Sequence, residues 1–177
     1  FLEYFAWEKP VLDQISCHYQ TGKSLPDSLI KKMRNAKNFQ AGLQLLRQLE
    51  LSLFDFRLHL EFDPKKDYTQ IQALLDKIRK RINIIPVSPF NRFQHGFSHI
   101  FAGGYAAGYY SYLWAEVLSC DAFTKFLEDG IFNQETGQAF LQSILEQGGA
   151  IDAMELFKKF RGREPKIQAF LKSLDIE

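Results

Sequence analysis

The stretch NFQAGLQLLRQLELSLFDFRLHLEF, residues 38–62, is the longest periodic segment of the sequence. Large side chains recur in it at helical spacing, which predicts a helix with the following residues on one face: Leu43, Leu46, Leu49 or Glu50, Leu53, Phe56 and Leu60. Its last part, DFRLHLEFD at 55–63, alternates polar and apolar residues, a pattern that is also typical of a strand. The uninterrupted helical pattern before it favours one long helix.

Helical spacing also runs through most of the remaining chain. The segments are EKPVLDQISCHYQTGKSLP, SLPDSLIKKMRNAKN, DYTQIQALLDKIRKRIN, residues 105 to about 128, NQETGQAFLQSILEQGG, AMELFKKF and EPKIQAFLKSL. Gly22 and Pro26 stop the first, Ser24 or Asp27 lies near the start of the second, and Asp67 is the expected N-cap of the third. No repeat or linker divides the sequence, so we predict an all-α fold with 1–177 as a single helical unit.

Composition excludes several classes of protein. The net charge of +1 over 177 residues provides no field to attract nucleic acid or anionic lipid, and no apolar run approaches the roughly 18 residues of a membrane helix. We therefore expect no nucleic-acid or membrane partner, a cytoplasmic location, and reduced thiols at Cys17 and Cys120. The sequence opens at Phe1 on an aromatic segment without a capping residue, and we expect a fragment of a longer polypeptide.

Residues 86–104 interrupt the helical pattern. Pro86 and Pro89 disfavour helix, Gly96, Gly103 and Gly104 punctuate the segment, and its phenylalanines make it too apolar for disorder. We predict an irregular loop rich in aromatic residues and glycine. Loops of this length inside a compact chain are usually functional when they are ordered.

His95 and His99 are four residues apart, the spacing that places two imidazoles on one helix face for zinc. The peptidase motif His-Glu-x-x-His has a catalytic carboxylate after the first histidine, where this sequence has Gly96. Prolines and glycines disfavour a helix here, and no acidic third ligand is close in sequence. We therefore predict no metal ligand in this chain.

Tyr105, Tyr109 and Tyr112 would place their hydroxyls along one stripe of a helix that covers residues 105 to about 128. A second stripe, formed by Ala106, Tyr110, Leu113 and Val117, is predicted to be core. Aromatic stripes at this spacing are more often core than binding site. Several buried phenols, however, need several hydrogen-bond partners, which a polar groove or a bound peptide backbone would supply.

The stretch FSHIFAGGYAAGYYSYLWAEV, residues 97–117, resembles the C-terminal signature of the thimet-oligopeptidase family of zinc metallopeptidases. Four further segments resemble parts of that family in the same order: FLEYFAWEKP, AKNFQAGLQLLRQLELSLFDFRLHLEF, ETGQAFLQSILEQGG and ELFKKFRGREP. The resemblance implies the C-terminal part of a mostly helical, two-lobed enzyme that cuts short peptides in a deep channel. The family holds zinc with a His-Glu-x-x-His helix and a later glutamate, and neither is matched here.

The resemblance also implies roles for individual residues. His99 and Tyr112 resemble the donors to the oxyanion, Tyr109 a donor near the scissile carbonyl, and Tyr105 a residue that aligns the substrate backbone. Gly103 and Gly104 match the family's glycine loop. We therefore expect a substrate-binding part that is inactive alone, binds no zinc itself, and works with short peptides and with the N-terminal part of the same polypeptide. The alternative is a non-catalytic helical module whose aromatic segment docks a partner protein.

Overall fold

The computed structural model describes residues 1–176, which form helices and connecting turns with no strand among them. The α-helices are α1 (Lys9–Ile15), α2 (Asp27–Asn38), α3 (Ala41–Glu61), α4 (Thr69–Ile82), α5 (Ser98–Phe101), α6 (Ser111–Asp129), α7 (Gln134–Phe140), α8 (Ala153–Arg161) and α9 (Gln168–Ser173). Leu2–Trp7 and Phe93–Gly96 are 3₁₀ helices, and Leu141–Leu145 is a π-helical turn. The predicted all-α fold is confirmed.

Helix α3 resolves the ambiguity at residues 55–63, because it continues without interruption to Glu61. Helix α2 begins at Asp27. The N-cap of α4 is Tyr68 and not Asp67 as predicted, although the Asp67 side chain accepts a hydrogen bond from Thr69 N. The first helix is shorter than predicted and ends at Ile15. The helix therefore ends before it reaches Gly22 and Pro26, the residues predicted to stop it. Beyond its end, His18 N donates a hydrogen bond to Lys23 O, which closes a turn.

The chain divides into two compact units. Unit 1 contains residues 1–39 and 115–176, and unit 2 contains residues 40–114. None of the helices formed by residues 1–176 combines the length and apolar character that crossing a bilayer requires.

The core of unit 2 lies where α3 packs against α4 and against the aromatic segment that follows. Its buried residues are Leu51, Phe54, Leu58, Leu75, Ile78, Phe97, Ile100 and Tyr109. The predicted residues do share one face of the continuous helix α3, but Leu53, Phe56 and Leu60 on that face are exposed, so it is not the face that forms this core. Helix α3 has apolar residues on two faces. Helix α4 packs against the face that carries Leu51, Phe54 and Leu58.

A buried ion pair joins α3 to α4 and to the following loop. Glu50 accepts hydrogen bonds from Arg79 Nε at 2.8 Å and from Asn83 at 3.1 Å, and Arg79 also donates to Asn91 Oδ1. Burial opposes ionisation of Glu50, but the hydrogen bonds from Arg79 and Arg47 outweigh it and lower the pKa of Glu50. The loop after α4 is thereby tied to unit 2 by charge-assisted hydrogen bonds.

Unit 1 has a core of aromatic rings around α6 and α8. Its buried members are Ala122, Phe123, Phe126, Phe157 and Phe160. The ring of Phe1 stacks on Phe140 with 4.3 Å between the centroids, so the N-terminal 3₁₀ segment belongs to this core. Cys120 is buried and Cys17 is exposed, and both are free thiols.

Candidate active site

Four aromatic side chains that the sequence singled out lie together in unit 2. The ring centroids of Tyr105 and Tyr112 are 5.1 Å apart, as are those of Tyr109 and Tyr112. The His99 ring lies 5.7 Å from Tyr109, 6.2 Å from Tyr105 and 6.4 Å from Tyr112. We call His99, Tyr105, Tyr109 and Tyr112 the tyrosine cluster.

The cluster is not a stripe on one helix, and that prediction is wrong. Helix α6 begins at Ser111, and the residues before it form turns in which Gly108 N donates to Tyr105 O. Ala107 adopts the left-handed conformation, with φ of 55°. Within these turns, the buried carboxylate of Asp55 accepts hydrogen bonds from Ala107 N and Tyr109 N, both at 2.9 Å. The turns still bring the three phenols together.

Both glycines between His99 and Tyr105 are required by the backbone. A Cβ added at Gly103 would lie 2.9 Å from His99 O and 3.0 Å from His99 Cα, which is too close for any other residue. Gly104 has a φ of 78°, in the region that favours glycine. Tyr105 N then donates to His99 O at 3.1 Å. The tight turn thus links the histidine of the cluster directly to its first tyrosine.

The members of the cluster differ in exposure. Tyr109 is only 8% exposed, and its hydroxyl donates to Gln48 Oε1 at 3.2 Å. Tyr105 and Tyr112 are 36% and 42% exposed, and His99 is exposed as well. Burial raises the pKa of Tyr109, and interaction with the Tyr105 side chain raises the pKa of Tyr112. Both phenols therefore keep their protons at neutral pH and can donate hydrogen bonds.

The predicted second stripe is not core, so this prediction is wrong too. Ala106 is exposed and lies before α6, and Tyr110 is 51% exposed. Only Leu113 and Val117 are partly buried. The reason is again the turn at residues 105–110, which removes Ala106 and Tyr110 from the helical register. The ring of Tyr110 instead lies edge-on to exposed Phe56, with 6.3 Å between the centroids.

The two histidines of the zinc-like spacing have different neighbours. His95 lies in the 3₁₀ helix Phe93–Gly96 and borders a groove shared with Tyr68 and Phe101, whereas His99 belongs to the tyrosine cluster. Within residues 1–176, no three His, Cys, Asp or Glu side chains are grouped so that they could hold a metal ion. The described residues therefore do not fit a zinc site.

Sequence reasoning missed three residues around the cluster: Gln48, Asp55 and His59. All three lie on α3, about fifty residues before the tyrosines. The signal for Asp55 was an acidic residue between Phe54 and Phe56 in an apolar helix, since an acid is almost never fully buried unless it is paired. Its partners could not be read from the pattern, because they are backbone amides.

Comparison with known proteins identifies the family. The model of peptidase family M3 matches residues 1–176. The chain belongs to this family. The resemblance to this family is thereby confirmed, and the all-helical architecture described above is that of a chain of peptidase family M3.

Named relatives agree with this assignment. The chain is 55% identical over 177 residues to oligopeptidase A of Salmonella typhimurium and 53% identical over 172 residues to oligopeptidase A of Haemophilus influenzae. It is 43% identical over 176 residues to the probable cytosolic oligopeptidase A of Arabidopsis thaliana. These matches cover 100%, 97% and 97% of this chain but 26%, 25% and 25% of the relatives. The chain therefore spans about a quarter of the length of the curated relatives that it matches.

Proposed function

We propose that this chain is the substrate-binding and transition-state-stabilising part of a zinc-dependent oligopeptidase that hydrolyses short peptides. Membership of peptidase family M3 and the similarity to oligopeptidases A support the reaction class. The observation that carries the proposal is the exposure of Tyr105, Tyr112 and His99 side by side next to the glycine turn. Solvent-accessible phenols on a rigid turn are available to a ligand, whereas phenols of a dry core are not.

The chemistry required of this part is hydrogen-bond donation. When a peptide bond is hydrolysed, the carbonyl oxygen gains negative charge, and fixed donors that face it stabilise the transition state. We assign His99 and Tyr112 as donors to this oxygen and the adjoining peptide, and Tyr105 as a residue that aligns the substrate backbone. Tyr112 can fill this role because a phenol keeps its proton at neutral pH, whereas a phenolate could not donate. One such donor is worth about 3 kcal/mol in comparable sites.

Tyr109 needs a conformational step for its proposed role near the scissile carbonyl. Its hydroxyl already donates to Gln48, so it must exchange this acceptor for the substrate oxygen. A developing negative charge is a stronger acceptor than a neutral amide oxygen, which favours the exchange in the transition state. Gln48 would then hold the phenol ready in the absence of substrate.

In this proposal, the zinc ion is bound by another part of the same polypeptide. The described residues offer no fitting ligand set, so we assign no zinc ligand to this chain. We propose that the N-terminal part of the same polypeptide supplies the metal, that the whole enzyme is cytoplasmic, and that the 177 residues alone neither bind stoichiometric zinc nor cleave peptides. Assaying the purified chain with a quenched peptide tests this, and zinc-dependent turnover would contradict it.

The decisive experiment substitutes single phenols in the full-length protein. Tyr112→Phe removes one hydroxyl and is expected to lower kcat by about 100-fold, the equivalent of the ~2.7 kcal/mol lower limit for one donor, with little change in KM. Tyr110→Phe is the matched control, because Tyr110 is exposed nearby but packs against Phe56 outside the cluster. It should retain kcat within about twofold. Equal activity of the two variants would overturn the assignment.

A non-catalytic docking module is the second candidate, and exposed apolar side chains favour it. Phe56, Leu60, Tyr110 and Trp114 are all exposed in unit 2, and exposed apolar patches often mark interaction sites. This candidate predicts that Tyr109→Phe and Tyr112→Phe leave turnover of the full-length protein intact. The same kinetic measurements therefore separate the two candidates.

A further inference from the structure

We infer that Asp55 is the positioning residue of the tyrosine cluster: its carboxylate holds the turn that presents the phenols. The inference rests on the proposed function and deepens it. Asp55 is fully buried, and its two oxygens take one backbone amide each, from Ala107 to Oδ1 and from Tyr109 to Oδ2. A residue on α3 thereby fixes a turn that lies more than fifty positions later in the chain.

The turn that contains Ala107 and Tyr109 has a backbone conformation that suits an anion. Ala107 is left-handed and lies in the same turn as Tyr109, and backbone N–H groups converge in such turns to form an anion-binding concavity. A residue with a Cβ avoids this conformation when nothing compensates for its cost. The carboxylate of Asp55 supplies the compensation. It suits the two amides because both of its oxygens only accept hydrogen bonds.

An amide side chain could not replace the carboxylate. Asparagine at position 55 has nearly the same shape, but whichever way it is turned, its NH₂ group would face one of the two backbone N–H groups. One buried amide would lose its acceptor and gain a repulsive neighbour. Asp55→Asn therefore removes the anchor with almost no change in volume.

His59 fixes Asp55 from the preceding helical turn. Its Nδ1 lies 2.9 Å from Asp55 O and 3.0 Å from Asp55 Oδ1. Both oxygens are acceptors, so the tautomer with its proton on Nδ1 donates to them. The imidazole limits rotation of the carboxylate, and the two residues act as one unit.

The anchor reaches all three phenols. Tyr109 is held directly through its amide, and its ring packs edge-on against buried Phe97 at 5.1 Å. Tyr112 N donates to Tyr109 O at 3.3 Å, and Gly108 N donates to Tyr105 O at 2.8 Å. Displacing Ala107 and Tyr109 would therefore move the donors on both sides of them. Misplacing groups by about 1 Å can cost an enzyme on the order of 100-fold in rate.

Unit 1 contains a second buried carboxylate, which provides a control. Asp121 is also buried, and its Oδ2 accepts a hydrogen bond from Lys166 N at 2.7 Å while Arg163 pairs with both of its oxygens. Asp121 lies on α6 as Tyr112 does, but the hydrogen bonds of its carboxylate within residues 1–176 come from Arg163 and Lys166, so Asp121→Asn perturbs a buried carboxylate without removing a hydrogen bond of the tyrosine cluster.

The test compares Asp55→Asn with Asp121→Asn in the full-length protein. Hydrogen exchange of segment 105–112, followed by mass spectrometry, reports on the anchor without any assay of activity. We expect exchange of this segment to accelerate by on the order of tenfold or more in Asp55→Asn, since charge-assisted hydrogen bonds are lost, and to be unchanged in Asp121→Asn. kcat of Asp55→Asn should fall by on the order of tenfold to 100-fold with KM within about threefold.

A double substitution tests whether Asp55 acts through the phenols. In Asp55→Asn combined with Tyr112→Phe, the fold loss of kcat should be smaller than the product of the two single losses. The reason is that Asp55 would act by positioning the hydroxyl that Tyr112→Phe removes. If Asp55→Asn does not fold, His59→Gln at the partly exposed partner should show the same changes at two- to fivefold size. Unchanged exchange of segment 105–112 would refute the inference about Asp55. Accelerated exchange with full activity of Tyr112→Phe would instead refute the proposed function and leave the anchor standing.

Discussion

Replacing Gly103 by alanine tests whether the glycine turn sets the position of His99. The added Cβ would lie 2.9 Å from His99 O and 3.0 Å from His99 Cα. Both are backbone atoms, so no side chain can rotate away, and the turn itself must shift. Overpacking of this kind costs about 1–3 kcal/mol. The shift would move His99, whose carbonyl oxygen accepts a hydrogen bond from Tyr105 N. Both His99 and Tyr105 would therefore be displaced.

We expect Gly103→Ala to lower both the thermal midpoint and kcat of the full-length protein, the latter by on the order of tenfold or more. Gly108→Ala, in the turn that follows Tyr105, is the matched control. Its Cβ would meet Tyr105 O at 3.5 Å, an ordinary van der Waals distance, and Gly108 is not left-handed. The two variants are compared by differential scanning calorimetry and by steady-state cleavage of a quenched peptide. Gly103→Ala matching Gly108→Ala in both measurements would refute the reasoning.

Two further predictions concern charge and backbone strain. Burial opposes ionisation of Asp121, but the hydrogen bonds from Arg163 and Lys166 N outweigh it and lower the pKa of Asp121 below the ordinary 3.8. Ionised Asp121 therefore stabilises the fold above about pH 4. This stabilisation is lost as the pH falls toward the lowered pKa. The difference in thermal midpoint between the natural protein and Asp121→Asn should be largest near neutral pH and shrink below about pH 4 in a calorimetric pH series; a constant difference would contradict it. Ala107→Gly should remove the strain of a left-handed alanine, which would increase the free energy of unfolding by up to about 1 kcal/mol and raise the thermal midpoint. Its kcat should stay within about twofold of the natural value. A lower midpoint would show that the conformation is not strained.

Periodicity predicted the helices well where the contacts that decide them are local. The pattern of residues 38–62 predicted α3, and its continuity decided correctly against a strand at 55–63. Periodicity did not indicate which face of α3 is buried, because two faces of the helix carry apolar residues and the packing of α4 selects between them. Leu51, Phe54 and Leu58 are buried, while Phe56 and Leu60 are not.

The turn before α6 could not be predicted from its own residues. Residues 105–110 continue the helical pattern of 111–129 without a proline, so the local sequence favours helix. The turn is instead accompanied by a contact from far along the chain, in which the carboxylate of Asp55 accepts hydrogen bonds from the amides of Ala107 and Tyr109. Such a contact between a side chain and a distant backbone leaves no periodic signal. Only the presence of an acid on an apolar face of α3 pointed to it.

Core and site are not exclusive interpretations of these tyrosines. Tyr109 belongs to the buried core of unit 2, together with Phe97 and Ile100, whereas Tyr105 and Tyr112 stack on one another with their rings partly exposed. Donors stabilise a transition state most when they do not have to reorganise at the moment of reaction. The buried ring of Tyr109, whose backbone amide is held by the Asp55 carboxylate, provides that rigidity for the exposed phenols beside it. The aromatic packing that made this segment resemble a core is therefore what would make it effective as a site.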